Sequence, residues 1–539
     1  MKTHLLLLLT TLAGLQVAAQ NFTRKDTLQG SLRPERTAFD VLRYDLNLTI
    51  NPEERSIAGH NAITFKIVAP TQKIQLDLFA NMQVDSILYQ NKPLAYTREF
   101  NAVFIDFPQT LTLNTEHTLF FHYSGNPKIA KRAPWDGGFV FKKDSNNNPF
   151  IGVAVQGTGA SLWYPVKDHQ TDEPDRGASV KVAVPNGLMN VSNGRFLGSE
   201  NLNNGYTRWD WEVINPINNY NIVINIADYV HIHDHHKGLD LDYYVLRENE
   251  ALARKHFEEV KPMMDCFQEK FGPYPFLEDG FKLVETPYLG MEHQSAVAYG
   301  NKYTKGYLGN DMTGTGVGLL FDYITIHETG HEWFGNSITS KDIADMWIHE
   351  SFTTYSESVF VECQFGYEKA MQYINGQKKM VGNRSPMIGQ FGVNFKTGNS
   401  DMYYKGALLL NTLRHLVNND EEWWRILKSY TEHFRHQIIE TEDVSTYFTK
   451  AIGKDLQPLF NQYLNHTALP LLEFRSTKKG VEARWVTDVS GFKMPVHYSV
   501  KNKNFHTWFS NDWQKVEDAK TVDEITLSLE KMLIAVGGK

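Results

Sequence analysis

His327-Glu328-Thr329-Gly330-His331 sets two imidazoles four positions apart, with a carboxylate beside the first. The run lies in YITIHETGHEWFGN, whose spacing predicts a helix. On a helix, positions i and i+4 share a face, so both rings can point at one metal ion. Glu328, one position along, can reach a water at that ion without being a ligand. A third ligand has to come from elsewhere. Glu350, in WIHESFTTYSES, follows His331 after 18 intervening residues, room for a second helix to fold back on the first. Its other reading is a surface acid with an ion-pair partner. Two neutral imidazoles and one carboxylate leave zinc an open position, the arrangement of catalytic sites. Such an ion lowers the pKa of water toward about 7. Glu328 would take the proton as water attacks a peptide carbonyl, then pass it to the leaving amine. The outward ring nitrogens need acceptors that fix their tautomers; Asp345 and Asn336 are candidates, with a surface or helix-cap role as the other reading of each.

HETGHEWFGNSIT followed by DMWIHESF resembles the M1 family of zinc aminopeptidases (gluzincins), written His-Glu-x-x-His, eighteen residues, then Glu, with Trp-Phe-Gly-Asn after the second His. The resemblance implies one zinc per chain on His327, His331 and Glu350, with Glu328 as base. The family's Gly-x-Met-Glu-Asn segment, whose Glu binds the substrate's free amine, corresponds to Leu289-Gly290-Met291-Glu292-His293. Gly290, Met291 and Glu292 are thereby implied in substrate binding; His293 replaces the family Asn and the glycine is displaced by one. A carboxylate one residue's length from the metal would select an exopeptidase. DMYYKGALLL resembles the family's Tyr-x-Lys-Gly-Ala. The resemblance picks Tyr403 over Tyr404 as the phenol that hydrogen-bonds the oxyanion; spacing alone does not choose. In VQGTGASLWYPVKDHQTDEPD, Gln156 matches the family Gln that touches the amine or first side chain, although Asp-Glu-Pro is displaced by an insertion. Glu332 stands for the usual Gln and Ser351 for the usual Gly. The pocket for the first side chain is expected to include Gln156, Met291 and Met402.

Three kinds of element must position these groups. YDLNLTINP, AITFKIVA, KIQLDLF, TLFFHYSG and VKVAVP alternate or run apolar over strand lengths, between Gly, Asn and Pro. They predict an all-β N-terminal domain over 20–229. Helical spacing dominates 230–467: ALARKHFEEVKPMMDCFQEKFG, FDYITIHETGHEWFG, ESFTTYSESVFVECQFG, KGALLLNTLRHLVN and EEWWRILKSYTEHF. LLEFRS, VEARWV, MPVHYSV and EITLSL predict a small β-sandwich over 468–539. The resemblance makes the first unit saddle-like and the second thermolysin-like. It also implies a short form without the family's long C-terminal helical domain, leaving the cleft open or closed by a partner subunit.

The first 19 residues, with Lys2, an apolar run Leu5 to Val17 and small Val17 and Ala19, read as a secretory signal peptide. The mature chain is expected in the periplasm or outside the cell. No later stretch has the roughly 18 apolar residues of a membrane span. A net charge of −8 without a long basic run argues against a nucleic acid partner. Cys266 and Cys363, the two cysteines, exclude a disulfide framework; whether they pair is open. His231, His233, Asp234, His235 and His236 crowd YVHIHDHHKG, read as a solvated linker strand at the domain junction, with adventitious metal binding as the alternative. The leading expectation is an aminopeptidase acting on peptides with a free N-terminus. The alternatives are an endopeptidase or epoxide hydrolase on the same scaffold, or a non-catalytic peptide binder. Oligomeric state is not legible.

Overall fold

The computed structural model describes residues 22–155, 157–394 and 399–537. The expected signal segment and Gln156 lie outside the described residues. Alternation decides the first half of the chain. In Phe39–Asn51 and Glu116–Gly125, buried and exposed side chains alternate along much of the strand, so one face enters the core. An eight-stranded sheet runs in the order Arg195–Asn201, Tyr206–Val213, Ala178–Pro185, Phe39–Asn51, Ser56–Ile67, Glu116–Gly125, Met82–Tyr89, Lys92–Pro93. Its one parallel pairing is Phe39–Asn51 with Ala178–Pro185; the others are antiparallel. Two smaller sheets, of three and four strands, complete this β-rich part around one apolar cluster. Five strands named from sequence pattern all appear here.

The second part carries the helices. It opens with a five-stranded sheet in the order Tyr229–His236, Leu239–Leu246, Phe281–Glu285, Val297–Tyr299, Gly290–Met291. Tyr229–His236 is therefore not a linker. It pairs antiparallel with Leu239–Leu246 along its whole length and forms the sheet's outer strand. At the other edge, Gly290–Met291 runs beside the helix Tyr323–Gly330. The expected helix FDYITIHETGHEWFG is shorter than its pattern. It starts where Asp322 accepts from the Thr325 amide at 3.0 Å and ends at Gly330, with His331 as its still-helical cap residue. Asp322 also accepts from Tyr299 Oη at 2.9 Å and Asn301 Nδ2 at 3.0 Å, which ties the helix start to the sheet.

The helix Trp347–Phe365 packs across Tyr323–Gly330 and is buried along fifteen consecutive residues, from Trp347 to Val361. Its polar face therefore has to be satisfied inside the protein. The helix Tyr404–Val417 lies against it so closely that a Cβ on Gly406 would sit 1.6 Å from Ser351 Oγ. Ser351 in turn donates to Met402 O at 2.7 Å, so the serine bonds the segment that leads into Tyr403. After residue 470 the strands Leu471–Thr477, Gly480–Val486, Met494–Val500 and Lys503–Phe509 contribute to two small sheets. Among the described residues no helix is long and apolar enough to cross a membrane.

Cys266 and Cys363 are disulfide-bonded and join the helix Val260–Phe271 to the helix carrying Glu350. The bridge spans a separation of 97 residues. Unfolded, unreduced protein should therefore titrate no free thiol, and reduction should lower unfolding stability by about 2–4 kcal/mol in denaturant melts.

Candidate metal centre

His327 and His331 come from the helix Tyr323–Gly330 and its cap, and Glu350 from the first turn of the helix Trp347–Phe365. All three are buried. Glu350 Oε2 lies 3.6 Å from His327 Nε2 and 3.5 Å from His331 Nε2. That oxygen is buried and, among the described residues, has no hydrogen-bond partner. Ligand bonds of 2.0–2.1 Å around a tetrahedral zinc would separate the ligand atoms by about 3.3 Å. The three groups thus already stand close to the spacing that one such ion needs. Two imidazoles and a carboxylate, with the cleft on the open side, are the donor set of a catalytic zinc site.

The outward ring nitrogens find partners that the sequence reading missed. His327 Nδ1 lies 2.7 Å from Glu357 Oε1, and His331 Nδ1 lies 2.8 Å from Phe334 O. With Nδ1 as the donor, each ring turns Nε2 toward Glu350. Glu357 is held by Tyr373 Oη at 2.7 Å and Gln377 Nε2 at 3.3 Å. Asp345 and Asn336 do not serve the histidines. Asp345 accepts from Thr441 Oγ1 at 2.7 Å, at the start of another helix. Asn336 donates to the backbone oxygen of Glu292 at 2.9 Å, so it supports the loop beside the metal centre. Glu357 was findable: it lies seven positions after Glu350, two turns along the same helix face.

Burial and neighbouring charge set the protonation states. Burial raises the Glu328 carboxyl to about 7, against the pull of His327 and with the push of Glu292. Burial would also raise Glu350, but the two facing imidazoles hold it below the usual carboxylate range. Glu332 is pushed up to about 7 by burial; it accepts from Ser295 N at 2.9 Å and Tyr274 Oη at 2.8 Å. It thus anchors the loop that follows Glu292.

A cleft of about 320 Å³ opens over these groups, lined also by Gly290, Met291, Glu292, Met402, Tyr403 and Tyr404. Donor atoms of Glu292, Glu328 and His331 all lie within 4.8 Å of one another. Gly290 makes room for Glu328: a Cβ there would come 2.8 Å from Glu328 Oε1. Met291 is buried against Tyr288 and Ala298 and fixes the edge strand. His293 is fully buried and pushed down to about 3 by that burial, so it adds no charge beside Glu292. Tyr403 donates to Glu350 Oε1 at 2.9 Å, and its ring stacks near His327. Tyr403 thus contacts Glu350, one of the three candidate ligands. Its hydroxyl is held neutral, raised well above its ordinary value by burial and by Glu350.

The Peptidase M1 N-terminal domain matches residues 41–220, and the Peptidase family M1 domain matches residues 255–463. The chain belongs to peptidase family M1. Among curated M1 relatives, aminopeptidase B of Rattus norvegicus is 26% identical over 41% of this chain and 36% of its own length. Aminopeptidase N of Lactococcus lactis subsp. lactis is 22% identical over 80% of this chain and 51% of its own length. The chain thus spans about half or less of the length of these two relatives. The M1 zinc metallopeptidase of Deinococcus radiodurans shares the fold, with a TM-score of 0.66 at 19% identity, covering 80% of this chain and 95% of that one.

Glu357→Ala should leave this M1 chain folded but weaken zinc binding roughly 10–100-fold, the usual cost of removing a ligand's supporting partner. Competition with a zinc-binding dye measures it; an unchanged affinity would remove Glu357 from the centre.

Proposed function

We propose that the chain is a zinc-dependent aminopeptidase, hydrolysing the N-terminal peptide bond of peptides. The observation that carries this reading is the buried carboxylate of Glu292, with Glu328 and His331 within 4.8 Å of it. A substrate ammonium is the cation such a carboxylate accepts, and from there only the first peptide bond reaches the metal centre. His327, His331 and Glu350 would hold the zinc, which supplies a Lewis acid that polarises water and the scissile carbonyl. Gly290–Met291 forms a sheet edge along the cleft, able to pair with an extended peptide backbone. Glu328 takes a proton from the attacking water and passes it to the leaving amine. The Tyr403 hydroxyl donates to the carbonyl oxygen as that oxygen gains charge. Gln156 is assigned to the same amine end on its match to the family glutamine. In support, the Deinococcus relative has been seen bound to a Tyr-Ser-Ala substrate.

The finer architecture is part of the same proposal. Units at 20–229, 230–467 and 468–539 follow the changes of element type. The first would be saddle-shaped, the second thermolysin-like, and the last a β-sandwich built from the two sheets after residue 470. Export through the first 19 residues to a periplasmic or extracellular site is supported by the Cys266–Cys363 bridge, since such bridges persist in oxidising compartments.

A free-amine aminoacyl anilide should be cleaved and its N-acetylated twin left intact, with chelator abolishing turnover. Equal cleavage of both would point to an endopeptidase, and no cleavage with zinc present to a peptide binder. Glu328→Gln should retain zinc and lose roughly 10²–10⁴-fold in kcat, the scale of general-base catalysis. Glu292→Ala should raise KM for free-amine substrates selectively; an unchanged rate on them would sink the amine-anchor role.

A further inference from the structure

We propose a second metal site, on the outer face of the first hairpin of the five-stranded sheet, that takes a borderline divalent transition ion such as Zn2+ on His231, His233 and Asp242. Side chains two apart on a strand share a face. In Tyr229–His236 that rule puts His231, His233 and His235 together, all solvent-exposed. Across the hairpin, the register sets Asp242 opposite His233 and Asp240 opposite His235. His231 Nε2 and His233 Nδ1 converge on one oxygen, Asp242 Oδ1, at 2.7 and 2.9 Å. One donor atom from each residue fits within a 4.8 Å group. A tetrahedral ion needs ligand atoms about 3.3 Å apart, so small ring rotations admit it.

The surrounding ion pairs pick out this trio from its neighbours. Asp240 is paired with Arg195 Nη1 at 2.6 Å, Asp234 with Lys261 Nζ at 2.8 Å, and Asp265 with Lys237 Nζ at 2.7 Å. Asp242 makes its ion-pair contacts with the two histidines and, among the described residues, with no Lys or Arg. Its cross-strand neighbour Lys282 donates instead to the backbone oxygen of Gly194. The carboxylate is thus reserved for imidazoles or for what they bind. Two further features fix the cage. Asp242 is 18% exposed and anchored on a strand paired on both sides. The His231 ring stacks on Tyr244 at 4.5 Å with an interplanar angle of 3°.

Two imidazole nitrogens and one carboxylate, with water completing the shell, suit Zn2+, Cu2+ or Ni2+ rather than Mg2+ or Ca2+. The role is structural. Tyr229–His236 follows directly on Asn225–Ala227 of the β-rich part and is an outermost strand. A bridging ion would clamp this strand to its partner and charge an otherwise weakly guarded edge.

The test uses the full-length protein carrying one zinc per chain. Titration with Zn2+, followed by calorimetry and elemental analysis, should show a second equivalent bound, and Mg2+ should give none. His233→Ala and Asp242→Asn should each weaken that second equivalent by more than the roughly 10–100-fold lost when only a ligand's partner is removed. Both should keep wild-type anilide hydrolysis, which shows that they fold. Excess zinc should raise the melting temperature of the wild type and not of the variants. His331→Ala should keep this second site, which separates it from the peptidase centre. A wild type that stops at one zinc, or a second zinc held equally well by both variants, overturns the proposal.

Discussion

Negative charge buried without a Lys or Arg partner is the constraint on which the cleft is built. Glu328, Glu350 and Glu357 lie within the protein, and among the described residues none forms an ion pair with Lys or Arg. Buried carboxylates cost several kcal/mol each unless hydrogen bonds or a nearby cation offset the lost hydration, and Glu350 Oε2 faces only the two imidazoles. The imidazoles cannot do this as ligands, because a ligating histidine is neutral. A divalent ion between His327, His331 and Glu350 can. Glu328 shows the same cost: burial first, and then the neighbouring carboxylates Glu292 and Glu350, push it toward its protonated form.

The rest of the helical part can be understood as the frame that holds those acids in place. The helix Trp347–Phe365 carries Glu350 toward the Nε2 atoms of His327 and His331 and Glu357 toward the back of His327, seven residues apart on one face. Three restraints fix that helix. The disulfide holds its C-terminal half to Val260–Phe271. The close approach of Gly406 to Ser351 fixes its spacing from Tyr404–Val417, and so the height of Tyr403. His331 Nδ1 reaches both Phe334 O and Thr353 Oγ1, which locks the two metal-bearing helices together. Ser351 in place of the family glycine is accommodated because its hydroxyl gains a carbonyl acceptor, Met402 O.

What the sequence disclosed follows from the range of each interaction. His327, His331 and Glu350 were legible because helix periodicity and a fixed gap are one-dimensional facts. The five strands named before residue 186 were legible because burial on one face imposes alternation. Asp345 and Asn336 were misassigned because their partners, Thr441 and Glu292, come from distant segments that no local pattern names. The histidine run was taken for a linker because exposed, polar side chains mark both a solvated connection and the outer face of an edge strand. The pattern that separates them is its pairing with Leu239–Leu246, across the Lys237-Gly238 turn. The Cys266–Cys363 pairing depends on two helices meeting, which neither cysteine's neighbours reveal.

On the proposed reading, selectivity for a free N-terminus follows from repulsion as much as from attraction. Glu292 and Glu328 offer carboxylate oxygens within 4.8 Å of each other. At that distance two like charges in a poorly screened site repel by several kcal/mol at an effective dielectric near 20. An arriving ammonium between Glu292 and the metal centre relieves the repulsion and lets Glu328 ionise, whereas an acylated terminus brings no charge and leaves Glu328 pushed toward its protonated form. The difference acts against the wrong substrate even where every other contact is the same. His293 fits that arrangement: a neutral, buried ring next to Glu292 leaves the ammonium as the cation that the pair of acids recruits. Asn336, donating to the Glu292 backbone rather than to a histidine, then holds the anchor at the height of the metal ligands. The residue that sequence offered as a candidate acceptor for a histidine's outward nitrogen is in this way part of what measures the peptide's end.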